Sequence, residues 1–354
     1  MAQDFSLKIP LCPVRLPELF FLPPQILKAS SKSFQLVFMA VVVRPMREED
    51  LDEADRIMRL AFGTFLALPE PLKFMGDADF VYTRYWADPP ATLSAEVDGK
   101  LVGSNFALDW GSVGIFGPLT VHPEYWDKGV ARLLLDHTMK IFETWGTKHI
   151  GLFTFAQSSK HIHLYQKYGF WPTYLTAIMS KQVGTLLGNT SVDAIYYSKL
   201  NSDKQKKDMV QKCAQLTGLI LEGLDLKKEI NSVENQKLGE TILLEKDGAL
   251  EAMAICHVGP NTEAGSGACY VKFGAVKPGP NSAKMFENLL HACEQYAHLQ
   301  NAVRLVGGVN TGRHNAYRRM IELGFRTDMQ GVAMQRPNEL GYNRAEVYLI
   351  DDWR

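Results

Sequence analysis

Two short stretches of the chain hold residue types whose spacing could do chemistry. The first runs Thr120-Val-His-Pro-Glu-Tyr-Trp-Asp-Lys-Gly-Val-Ala-Arg-Leu-Leu-Leu135. Val121 closes an apolar run, Pro123 turns the chain, and a helical pattern opens around Gly129. The first turn of a helix has unpaired backbone N–H groups and about half a positive charge, so it can hold an anion such as a diphosphate. Gly129 brings no Cβ to keep a phosphate away, Ala131 is small, and Lys128 adds a compact positive charge at the mouth. The same letters also fit a plain strand–helix connection with an incidental glycine. The second stretch is Leu164-Tyr165-Gln-Lys-Tyr-Gly169-Phe170, a short helix closed by glycine. Its tyrosine carries a phenolic proton donor.

Other polar residues fit structural roles better. Cys256 and His257 are neighbours on a strand pattern, and adjacent strand side chains point to opposite faces, so they read as core residues and not as nucleophile and base. Asp109 reads as a solvated carboxylate at a strand end, with catalysis as the lesser alternative, and His122 precedes Pro123 in a turn. His161 and His163 lie two apart, about 200° around a helix, and cannot share a metal. The five cysteines are scattered, with no CxxC pair, which excludes a disulfide framework or zinc site and suits a reducing, cytoplasmic setting. Lys204, Lys206 and Lys207, like Arg313, Arg318 and Arg319, read as solvated helix faces. With a formal net charge of −1, nothing favours nucleic acid or an anionic membrane as partner. Apolar runs such as Leu36 to Val43 fall far short of the ~20 residues that span a bilayer.

Taken together, the two stretches resemble the signatures of the GNAT superfamily of acyl-CoA N-acyltransferases. Trp126, Gly129 and Ala131 occupy the three defined slots of its Gln/Arg-x-x-Gly-x-Gly/Ala acyl-CoA motif, with Trp126 departing from Gln or Arg. The resemblance implies acetyl-CoA as co-substrate, bound at Val121, Trp126, Asp127, Lys128, Gly129, Val130 and Ala131 largely through main-chain N–H groups. Leu164-Tyr165…Gly169-Phe170 is similar to the family's Leu-Tyr-x-x-x-Gly-Phe ending, which implies that Tyr165 protonates the departing thiolate. Where the family often has Asn and Ala on that helix, this chain has Ser158, expected at the cofactor, and His161. The implied reaction is attack of a primary amine on the thioester. An amine of pKa ~10.4 must first lose a proton, and full transfer from a phenol of pKa ~10 to a thiolate of pKa ~8.5 costs about 2 kcal/mol. A transition-state hydrogen bond, or a tyrosine of lowered pKa, avoids most of that. No base is evident from the letters. The aromatic stretch Phe62–Trp86 lies where the resemblance implies acceptor binding.

The elements around these residues follow an α/β order. Hydrophobic periodicity predicts a strand over 40–44, a helix over 48–65, a hairpin of strands 92–97 and 101–108 on Asp98-Gly99, and a strand over 113–121. A helix over 129–145, a strand over 149–155, a short helix over 160–168 and a strand over 176–181 follow. The order then repeats: strand 194–200, helix 202–221, a hairpin on Asp247-Gly248, strand 270–276, helix 283–297, strand 304–309 and helix 314–323. An offset of 155 carries Val121 to Val276, Pro123 to Pro278, Leu134 to Leu289 and Gly169-Phe170 to Gly324-Phe325. The same offset carries Gly129 to Lys284, Ala131 to Phe286 and Tyr165 to Met320, so the second copy should have lost the cofactor site.

The expectation is therefore two tandem GNAT-like domains, each a mixed, mostly antiparallel twisted sheet flanked by helices. Residues 39–182 form the N-acetyltransferase, 183–192 a linker and 193–354 a degenerate copy. The two should pack as an internal pseudo-dimer. Residues 1–38, with Pro10, Pro13, Pro17, Pro23 and Pro24, should be a loose extension or precede a natural start at Met39. The acceptor is a small-molecule or peptide amine. A non-catalytic acyl-CoA sensor is the alternative.

Overall fold

The computed structural model describes residues 40–184 and 192–354; the expectations for residues 1–38 and most of the linker lie outside them. The first copy runs β1 (Val41–Pro45), α1 (Leu51–Phe65), α2 (Val81–Ala87), β2 (Thr92–Val97), β3 (Lys100–Trp110), β4 (Val113–Phe116), β5 (Thr120–Val121), α3 (Val130–Trp145), β6 (His149–Thr154), α4 (Ser159–Gln166) and β7 (Trp171–Gln182). The second repeats it as β8 (Ile195–Tyr196), α5 (Asp203–Ile220), α6 (Lys227–Gln236), β9 (Gly239–Lys246), β10 (Ala249–Gly259), β11 (Gly265–Val276), α7 (Ser282–Leu299), β12 (Arg304–Asn310), α8 (His314–Glu322) and β13 (Arg326–Arg336), then adds β14 (Leu349–Ile350).

Hydrophobic spacing and local punctuation explain these elements. α1 buries Leu51, Ala54, Ile57, Met58 and Ala61, one stripe at helical period. Asp98 and Gly99, both at positive φ, make the β2–β3 turn, and Asp247 with Gly248 repeats it between β9 and β10. Sequence periodicity missed α6, whose polar face leaves only Glu229, Ile230, Ser232 and Val233 buried. The strand expected over 194–200 is two residues followed by a 3-10 turn, Tyr197–Lys199.

The strands form one sheet in the order β1-β2-β3-β4-β6-β13-β7-β12-β11-β10-β9-β8. Reading it from either end gives the same copy-by-copy sequence until the middle, where the closing strands have changed places. β13 of the second copy lies antiparallel to β6 of the first, from Val332↔Thr154 to Arg336↔Ile150. β7 of the first lies antiparallel to β12 of the second, from Arg304↔Gln182 to Asn310↔Thr176. β7 and β13 pair with each other at the centre. Each copy thus completes its sheet with the other's last strand, so neither closes without its neighbour.

The core is shared in the same way. Trp110 and Ile115 of the first copy pack in one buried cluster with Leu216, Met253, Phe273 and Leu349 of the second. Burying each such side chain contributes about 1.5–3 kcal/mol. Across the junction, Arg84 bonds Glu263, and Lys272 bonds both Glu263 and Glu229 at 3.0 Å, all of them buried. Burial alone would raise the Glu263 carboxyl, but Arg84 and Lys272 outweigh it and hold the carboxyl well below the usual range.

Candidate active site

The site is an opening in the first copy's half of the sheet. β4 and β6 run parallel for three pairs, Val113↔His149 to Ile115↔Gly151. Beyond Phe116 the chain leaves that ladder, because Pro118 has no N–H to give, and β5 pairs only with β3 through Gly103↔Val121 and Ser104↔Thr120. The strand expected as continuous over 113–121 is thus two strands. The space between β5 and β6 is a cavity of about 620 Å3 that runs from the start of α3 past α4 to the end of α1.

At one end stands the predicted anion cradle. Gly129, at φ +83°, is the residue before α3, and no side chain caps that helix. A Cβ built on Gly129 would meet nothing within 4 Å, so the first turn faces open space. Val121, Trp126, Asp127, Gly129, Val130, Ala131 and Ser158 all line the cavity. Lys128 does not: its ammonium lies 4.9 Å over the Tyr125 ring. Among the described residues, the cationic side chains in the wall are Arg132, Lys160, Lys167 and Arg354, against one carboxylate, Asp127, which is paired with Lys160 at 2.6 Å. Trp126, the residue that departs from the motif, donates its indole N–H to the Val121 carbonyl at 2.7 Å and so fixes the turn against the end of β5. Ser158 accepts from the His161 N–H at 3.4 Å, so its oxygen serves as the cap of α4.

Tyr165 sits deeper, on the buried face of α4, against Phe116 and Phe170. Gly169, at φ +78°, ends the helix and lets the Phe170 N–H return to the Tyr165 carbonyl at 3.2 Å. The Tyr165 hydroxyl has no hydrogen-bond partner among the described residues, and burial pushes its pKa well above the ordinary value. A tyrosine with a lowered pKa is therefore not what this site holds: burial keeps the phenol protonated.

One turn earlier on the same face, His161 also lines the cavity, its ring 5.1 Å from that of Phe65. Burial, and then Lys160, lower its pKa, so it stands as neutral imidazole at pH 7. Asp109 and His122 are not in the wall: Asp109 pairs with Lys228 at 3.0 Å, and His122 accepts from the Glu124 N–H at the start of a 3-10 turn. No cluster of His, Cys, Asp or Glu among the described residues is arranged to hold a metal.

Beyond Tyr165 and His161 the wall is aromatic. Phe74 stacks on Phe62 at 5.2 Å, Phe62 approaches Phe155 at 6.2 Å, and Phe155 approaches Phe65 at 5.1 Å. From the expected Phe62–Trp86 stretch, Phe62, Phe65, Phe74 and Phe80 line the cavity, whereas Tyr82, Tyr85 and Trp86 do not. The second copy closes the far side with Met329, Trp353 and Arg354, which sequence reasoning missed. One signal was available in Gly151, in the middle of a strand. A Cβ there would meet the Trp353 ring at 2.7 Å, and a mid-strand glycine marks such a close approach.

The matching opening in the second copy is filled. β11 runs unbroken from Gly265 to Val276, and where it leaves β12 the gap is taken by β14, through Gly274↔Ile350 and Ala275↔Leu349. Ile350 is fully buried in the same core as Met320, the counterpart of Tyr165, and Phe286, the counterpart of Ala131. Lys284, the counterpart of Gly129, lies inside α7, not before it.

Residues 59–170 match the family profile described as the acetyltransferase (GNAT) family. No curated protein matches the chain. Among solved structures, a Pyrococcus horikoshii protein provisionally named an acetyltransferase aligns over 88% of this chain and 95% of its own, with TM-score 0.63 and 13% identity. A GCN5-related N-acetyltransferase from Sphaerobacter thermophilus aligns over 84% and 95%, at 0.53 and 11%. A tandem GNAT protein from the clavulanic acid biosynthesis pathway aligns over 84% and 98%, at 0.52 and 13%. At these identities the likeness is one of fold: two tandem GNAT-like units of mixed, mostly antiparallel sheet and flanking helices.

Proposed function

We propose that this chain, a GNAT-family protein by its residues 59–170, transfers the acetyl group of acetyl-CoA to a primary amine by direct attack. The observation that carries the reading is one continuous cavity joining an uncapped helix start behind Gly129, a buried phenol at Tyr165 and a neutral imidazole at His161. The free N–H groups of the first turn of α3, with Arg132, Lys160 and Lys167 nearby, would hold the anionic phosphates of the co-substrate.

In balanced form, R–NH3⁺ and CH3CO–S–CoA give R–NH–COCH3, CoA–SH and one proton. His161 takes a proton from the ammonium, which frees the nitrogen lone pair. The nitrogen attacks the thioester carbon, the C–S bond breaks, and Tyr165 offers its O–H to the sulfur that gathers charge. Full transfer from a phenol of raised pKa is steeply uphill, so Tyr165 works as a hydrogen-bond donor in the transition state, and the nitrogen's second proton ends on the thiol. The sensor alternative needs the cradle but gives no role to the chamber beyond Tyr165. Release of free thiol from acetyl-CoA, measured with and without added amines, tests the reading. Acceptor-dependent release supports it, and acetyl-CoA binding with no release for any amine would overturn it in favour of a sensor.

A further inference from the structure

We infer that the acceptor is an aromatic primary amine, its ring held against the Phe62–Phe155–Phe65 wall; this rests on the acetyl-transfer reading of the same cavity. The wall is continuous from Phe74 through Phe62, Phe155 and Phe65 to His161, with ring separations of 5.1 to 6.2 Å. Phe153 extends it, 6.4 Å from Phe155. Met58, Met75 and Met329 also line the cavity, and such polarizable, adaptable side chains favour contact with another ring.

The charges exclude the other common acceptors. A polyamine, an aminoglycoside or a lysine in a basic peptide needs carboxylates for its several cationic centres. Among the described residues, the one carboxylate in the wall, Asp127, lies two residues before Gly129 in sequence and pairs with Lys160, while four cationic side chains share the cavity. A single ammonium is tolerable, because ring faces attract a cation and His161 at the end of the wall can relieve it of its proton. The acceptor therefore carries one amine and one large apolar group.

An arylalkylamine and an aromatic α-amino acid share that chemistry, and Arg354 separates them. Arg354 lines the cavity from the second copy, with its guanidinium stacked 4.1 Å over the Tyr270 ring and its Nε 3.3 Å from Asp352, a pairing that a carboxylate on the acceptor would have to share. A carboxylate on the acceptor would be met by Arg354, and a plain arylalkylamine would not use it.

The test is thiol release by the full chain with acetyl-CoA and 2-phenylethylamine, L-phenylalanine, n-butylamine, spermidine or a lysine-containing peptide. One of the two aromatic amines is expected to exceed both spermidine and the peptide by about 100-fold in kcat/KM, and butylamine by about 10-fold. Phe155→Ala should lower kcat/KM for the aromatic amine about 10- to 100-fold with little change in KM for acetyl-CoA. A preference for phenylalanine that Arg354→Gln removes identifies the amino acid as the source, and indifference to that change identifies the arylalkylamine. Spermidine or the peptide as best substrate overturns the inference but leaves acetyl transfer standing. So does an octanoyl-CoA preference that Phe155→Ala abolishes, since the rings would then hold an acyl chain. No release with any amine removes the underlying reading instead.

Discussion

Arg84 of the first copy donates to both carboxylate oxygens of Glu263 in the second, at 2.9 and 3.3 Å, with both side chains out of contact with solvent. The same guanidinium donates to the Gly117 carbonyl at 2.6 Å, at the point where β4 breaks to open the cavity. One ion pair thus ties the junction of the two copies to the shape of the site. Glu263→Gln takes the carboxylate partner from buried Arg84, while Lys272 keeps Glu229, and removing one partner of such a pair typically costs about 3–5 kcal/mol. Denaturant unfolding should show a loss of that order. A change below ~1 kcal/mol would mean that water reaches the junction and the pair is not a structural lock.

Gly129→Glu should abolish acetyl-CoA binding, since a carboxylate would stand where the phosphates approach. The residue's φ of +83° adds a strain on the order of 1–3 kcal/mol, so the fold should survive at reduced stability. Calorimetry on the wild type should find one acetyl-CoA per chain, because β14 fills the other opening, and none on the mutant. Two sites of similar affinity would contradict the filled second cleft.

Tyr165→Phe should leave acetyl-CoA affinity nearly unchanged and slow turnover by roughly 10–1000-fold, the scale of losing one proton donor. Single-turnover measurements isolate the chemical step. Wild-type rates there would exclude Tyr165 from it.

His161→Gln should lower kcat and change the pH profile, which a purely structural role would not do. As a base, His161 requires its unprotonated form, and burial with Lys160 lowers its pKa, so the acidic limb of kcat should fall below the ordinary histidine range of ~6.5. The charged neighbour that lowers it is Lys160 on its own helix, itself paired with Asp127; Phe65, from α1, adds no charge. Losing that limb in the variant supports the assignment, and an unaltered profile refutes it.

Asp79 gives a stability prediction with a definite sign. Burial, with the nearby Asp55 and Glu263 carboxylates, raises its pKa to about 6, although it accepts the Tyr82 N–H at 2.9 Å. The folded state therefore binds more protons than the unfolded one between pH ~4 and ~6, and stability contributed by this group is lost as pH rises through that window. Asp79→Asn keeps the acceptor oxygen and removes the charge. It should raise stability at pH 7.5 by on the order of 1–3 kcal/mol and flatten the dependence between pH 4 and 6. Equal melting temperatures for the two proteins across the range would show that Asp79 is solvated.

Much of this was legible in the letters, for local reasons. The turn at Asp98-Gly99, the stripe on α1 and the glycine closing α4 are each written within a few residues, because backbone sterics and helical period act over that range. The glycine–alanine start of α3, and the loss of Gly129, Ala131 and Tyr165 at Lys284, Phe286 and Met320, could likewise be read one position at a time. α6 escaped because its few apolar positions leave little pattern to read.

What only the tertiary structure decided is which copy completes which. β7 and β13 each bury one continuous run, Thr176–Met179 and Gly331–Gln335, that suits either neighbour, and such a run does not specify the strand it pairs with. The exchange at the sheet's centre, β14 lying in the second opening and the arrival of Trp353 and Arg354 in the first copy's cavity are contacts between residues that lie from 74 (Ala275 and Leu349) to 202 (Gly151 and Trp353) positions apart. The sequence determined two copies, one with a glycine–alanine helix start and a tyrosine at 165 and one with neither. The folded chain determined that the copy without them supplies a strand and a wall to the copy that has them, because buried shape and ladder pairing are settled only when both halves compete for the same partners.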